Sequence, residues 1–92
     1  MNFVYELEIF EPFVDKPPFI VNYIKNGFYS SLNKCIRVIN DFINDYEILL
    51  KFDELNSKET YINRILVHYG KISTVENDIE IAYVRIWKIL IN

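Results

Sequence analysis

Ninety-two residues, 51% hydrophobic and 16% aromatic, supply enough apolar surface for one folded domain over residues 1–92 and exclude a disordered chain. A net charge of −3 with ten basic residues, none of them in a run, argues against direct nucleic-acid binding, which needs clustered cations. The single cysteine, Cys35, excludes an intramolecular disulfide framework and fits a reducing compartment. There is no signal-peptide pattern, and no apolar run nears the roughly 20 residues of a membrane helix. Cytoplasmic residence away from membranes is the expectation.

The chain opens with alternation. In "NFVYELEIFE", Phe3, Tyr5, Leu7 and Ile9 share one face and Glu6 and Glu8 the other, which predicts a half-buried strand over residues 2–10. Pro12 ends it. The next stretch, "VDKPPFIVNYIKNGFY", is ambiguous. Pro17 and Pro18 could open a short helix, while Asn26-Gly27 is a hairpin signal, and the segment reads as a connection.

"SSLNKCIRVINDFIND" carries Leu32, Cys35, Ile36, Ile39, Phe42 and Ile43 at spacings of three and four. The spacing predicts an amphipathic helix over 29–44, capped by Ser30 or Ser31. The stripe fails beyond Leu50, so "YEILLKF" reads as a strand over 46–52 with Ile48, Leu50 and Phe52 inward. "NSKETYINRILVHYG" has Asn56 and Glu59 at capping spacing, a stripe of Tyr61, Ile62, Ile65, Leu66 and Tyr69, and Gly70 at its end. It predicts a second amphipathic helix over 57–69.

The C-terminal stretch has two readings. On a helical wheel Val75, Ile79, Ala82, Tyr83, Ile86, Ile89 and Leu90 form one stripe, with Ser73 and Glu76 at capping spacing. As two strands meeting at Asn77-Asp78 it is a β-hairpin, favoured by its β-branched and aromatic residues but placing Arg85 inward. The helix is the leading reading for 71–90 and the hairpin the alternative. The expected fold class is therefore α+β: an N-terminal and a central strand, two amphipathic helices, and a C-terminal helix or hairpin.

Chemistry-bearing residues are few. His68 has no second His or Cys at ligand spacing, and Cys35 lies within an apolar stripe. Asp41 and Asp45, four apart, suit a solvated helix face better than a cation site. No P-loop, GxGxxG, GxSxG, HExxH or EF-hand spacing occurs. No catalytic, metal or cofactor site is expected, and the chain is read as a non-enzyme. A helix-turn-helix about Gly70 is the alternative, but its second helix would present Glu76, Asn77 and Asp78 where bases are contacted.

The leading expectation is a small protein-binding domain that inhibits or modulates a partner. The class analogy is to phage and mobile-element anti-defence proteins and to immunity or antitoxin proteins. The expected contact residues are Glu6, Glu8, Glu11, Asp41, Asp45 and Trp87, an acidic and aromatic surface suited to a basic nucleic-acid-handling protein. A homodimer through the edge of the N-terminal strand is a further expectation.

Overall fold

A computed structural model describes residues 2–12, 21–43, 48–53, 60–61, 63–74, 77 and 79–91, with the backbone alone for 48–53 and 60–61. Among the described residues, six strands and one helix follow in the order β1 (Asn2–Phe10), β2 (Tyr23–Tyr29), α1 (Leu32–Ile43), β3 (Ile48–Asp53), β4 (Thr60–Tyr61), β5 (Arg64–Thr74) and β6 (Glu80–Ile91). The strands form one sheet ordered β2-β1-β6-β5-β3, with β4 added to β5. Every pairing is antiparallel.

This corrects the α+β expectation. The chain is mostly antiparallel sheet, and the hairpin alternative fits its C-terminal third. β5 and β6 pair directly. Their turn is closed by the Thr74 N–H donating to the Ile79 carbonyl at 2.9 Å and the Ile79 N–H donating to Thr74 Oγ1 at 3.0 Å. Nor do residues 57–69 form a helix where they are described: Thr60–Tyr61 and Arg64–Thr74 are strands. Gly70 ends nothing; it sits mid-strand opposite Val84. The helix-turn-helix reading loses both its helices.

The reason lies in the position of β6. It runs between β1 and β5, so both of its edges are paired, and residues of both its faces are buried at Ile86 and Trp87. Ala82, Val84 and Ile86 face one side and Trp87 the other, all buried. Ala82, Ile86 and Ile89 fit a helical spacing as well as a strand, and β-branched composition decides for the strand.

α1 forms where the stripe predicts it. Ser31 caps it, accepting from the Lys34 N–H at 3.2 Å, the ordinary N-cap geometry. The helix follows β2 and precedes β3, the two ends of the strand order, so it carries the chain across one face of the sheet. There Cys35 and Ile39 pack with Leu7, Ile9, Ile72, Ala82, Val84 and Ile86 in one buried cluster, with Leu32, Ile36, Phe42 and Ile43 against it. Burial raises the pKa of the Cys35 thiol. β3 lies where a strand was expected; the inward placement of Ile48, Leu50 and Phe52 lies outside the described residues.

Two further corrections bear on function. β1 is no edge, because it pairs with β2 on one side and β6 on the other. And Asn26-Gly27 is no turn: in mid-strand, Asn26 lies opposite Glu8 and Gly27 opposite Leu7.

Candidate interaction surface

The face of the sheet away from α1 holds most of the charged groups, and the strand register organises them in rows. Glu8 on β1 lies between Asn26 on β2 and Arg85 on β6. One row on, Glu6 lies between Phe28 and Trp87. Glu8 is 3% exposed, and burying a carboxylate is costly unless donors surround it. The Trp87 Nε1–H donates to Glu8 Oε1. Arg85 brings Nε to 3.2 Å from Oε1 and Nη2 to 3.4 Å from Oε2, although the Nε–H is not aligned on an acceptor. The Tyr23 phenol also bonds to Glu8, and that bond is the largest cause raising its pKa above the usual value. Burial and the charge of Glu8 add to the rise, while Arg85 opposes it.

Glu6 pairs with Arg64 at 3.3 Å, its side chain 14% exposed. The Arg64 guanidinium lies 4.0 Å from the centre of the Trp87 ring, and that of Arg85 lies 4.5 Å from Phe10, both within cation–π range. An aromatic row crosses four strands beside this network. Ring centres are 6.5 Å apart for Tyr23–Phe10, 5.8 Å for Phe10–Tyr83 and 6.1 Å for the stacked Tyr83–Tyr69 pair, spacings typical of favourable pairs.

The charges on this face therefore neutralise one another. Exposed large apolar side chains gather at one end of the described sheet, on β2, with Phe3, Ile79, Leu90 and Ile91 exposed elsewhere. β2 is the terminal strand of the described order, and it exposes Phe28 at 63%, Tyr23 at 49% and Ile24 at 44%. Ile24 is the extra residue where the register shifts between Ile9 and Phe10, a bulge at the start of the strand. Lys25 is the only charge on β2. Bulges and lysines guard natural sheet edges, and here the bulge and the single lysine both sit at the start of the strand, before Asn26.

Comparison with protein-family models, with curated proteins and with solved structures finds no match. The functional reading thus rests on this chain's own residues.

The expected contact residues fall into separate places. Glu6, Glu8 and Trp87 do come together, but inward: Trp87 is 2% exposed and Glu8 is buried against it, so neither presents the surface expected of it. Glu11 is exposed, accepting from Asn22 Nδ2 at 3.3 Å. Asp41 is exposed on α1, against the opposite face of the sheet, and Asp45 lies outside the described residues. His68 is half-buried on β5. Among the described residues no three His, Cys, Asp or Glu side chains converge on one point, and no helix is long and apolar enough to cross a membrane. Sequence reasoning missed Tyr23, Ile24 and Phe28. Their signal was the aromatic and β-branched content of "YIKNGFY", hidden by the turn-like Asn26-Gly27.

Proposed function

We propose that this chain is a non-enzymatic protein-binding domain of the cytoplasm that takes an extended segment of a partner onto the β2 edge. The observation that carries the reading is β2, terminal in the described strand order, with its three exposed large apolar side chains. Strand addition suits such an edge: main-chain hydrogen bonds supply affinity and alternate side chains supply selectivity. Phe28 is the natural anchor, since aromatic residues dominate interface energetics.

The side chains that could do chemistry support the same reading by being engaged elsewhere. Glu8 holds Trp87, Arg85 and Tyr23 together, and Cys35 is packed in the core. A partner chosen by acidic charge is not part of the proposal, because Glu6 and Glu8 are paired with Arg64 and Arg85. A domain of this kind acts by occupying a segment of its target, and so by modulating it.

The test is selection of extended peptides from a displayed library against the folded protein, with binding mapped on backbone amides by NMR. Selected peptides are expected to shift the amides of Tyr23–Tyr29. Binders that shift α1 or the β5–β6 turn alone, or no binders at all, would overturn the reading.

A further inference from the structure

We propose that one segment fitting this edge is β2 of a second copy of the chain, a deepening that rests on the strand-addition reading above. The argument is self-complementarity. A two-fold partner must meet the same strand running the other way, with residue i facing j and j facing i. Centred on Asn26, antiparallel pairing sets Ile24 against Phe28 of the second copy, Lys25 against Gly27, and Asn26 against itself. Ile24 and Phe28, two of the three large apolar groups that β2 exposes, then meet each other twice. Lys25, the strand's only charge, meets a glycine and never a like charge, which would be destabilising directly opposite.

Shifting the register by one residue either way removes this match. One shift sets Ile24 against Gly27 and Phe28 against Tyr23, the other sets Phe28 against Lys25 and Ile24 against Tyr29, and both bring side chains of opposite faces together. The two Asn26 amides at the axis can donate and accept reciprocally, as a polar group at one seam position fixes register in other paired elements. The pairing leaves the helix-bearing faces of both copies on the same side of one continuous sheet. A seam of five residue pairs is small beside the roughly 1,200–2,000 Å² of a stable complex, so the dimer is a concentration-dependent one.

Sedimentation equilibrium on the full chain, from micromolar to about 1 mM, tests it. The wild type is expected to pass from one chain mass toward two. Phe28→Lys and Ile24→Glu are each expected to weaken association about tenfold or more, with circular dichroism and melting unchanged. Combined in one chain, the two substitutions oppose Glu and Lys across the seam twice, and association is expected to recover above either single variant. A wild type that stays monomeric throughout, a dimer indifferent to Phe28→Lys, or a double variant weaker than both singles would overturn the proposal. If the wild type stays monomeric while selected peptides still shift β2 amides, only the second-copy claim falls; if neither occurs, both fall.

Discussion

Glu8 and Arg85 stand opposite each other across the β1–β6 seam, 77 residues apart in sequence and ion-paired at 3.2 Å. Each is an anomaly within its own strand. Glu8 is a buried carboxylate, and Arg85 is a cation that interrupts the apolar run of β6. Register resolves both, because the two anomalies meet.

This pairing predicts strong coupling. Arg85→Met leaves the Glu8 carboxylate buried without its cation and is expected to destabilise by about 3–5 kcal/mol. Glu8→Leu is expected to cost less, since the Arg85 side chain keeps 23% of its exposure and can reach water. The combined Glu8→Leu, Arg85→Met chain is expected to lose less than the two single losses added, though not to recover fully, because the buried Trp87 Nε1–H still lacks its Glu8 acceptor. Denaturant unfolding of the four chains measures this. Additive losses, within about 0.5 kcal/mol, would mean that the pair is not coupled.

A second pair is expected to be visible in pH titration. The Tyr83 hydroxyl donates to Glu80 Oε2 at 2.6 Å, and Lys71 lies 3.4 Å from Oε1. The Tyr83 bond is the largest cause holding the Glu80 carboxyl below its usual pKa; slight desolvation opposes it, and the bond and charge of Lys71 add to it. A depressed carboxylate pKa contributes stability that is present above the usual glutamate value and lost as pH falls through the folded one. Tyr83→Phe is therefore expected to move the NMR-detected pKa of Glu80 upward. An unchanged value would show that the hydroxyl does not govern it.

Gly27 carries a prediction about the edge strand. A Cβ at this position would lie 3.0 Å from the Tyr29 hydroxyl and 3.2 Å from its ring, so the glycine makes room for Tyr29 to fold back along β2. Gly27→Ala alone is expected to displace the ring and gain nothing. In a Tyr29→Ala chain the same change is expected to stabilise by about 0.4–1 kcal/mol, by restricting the unfolded backbone. Equal effects in both backgrounds would contradict the contact.

Much of the fold was legible where the apolar residues keep one period. β1 alternates over Leu7 and Ile9, although Glu8 and Phe10 are buried as well, and α1 shows a clean stripe with a serine cap. Legibility failed where an apolar run fits two periods or the period is broken. In β6, Ala82, Val84 and Ile86 are buried on one side and Trp87 on the other, and Arg85 counted against a strand only because Glu8 could not be placed beside it. In β5 the register shifts between Leu66 and His68, and one extra residue changes the phase of the alternation. Tyr61, Ile65, Leu66 and Tyr69 then imitate helical spacing. The interaction surface was illegible for a local reason. Asn26-Gly27 is strong turn chemistry, yet the glycine serves the packing of Tyr29.

The most direct test of the central claim sets the apolar edge against exposed acidic positions. Binding of the selected peptides is to be measured for an Ile24→Lys, Phe28→Lys chain and for a Glu11→Lys, Asp41→Lys chain, both confirmed as folded. The account predicts a loss of at least about tenfold, near 1.4 kcal/mol, for the first and a change within about twofold for the second at physiological salt. Loss of binding in the second chain with retention in the first would contradict it.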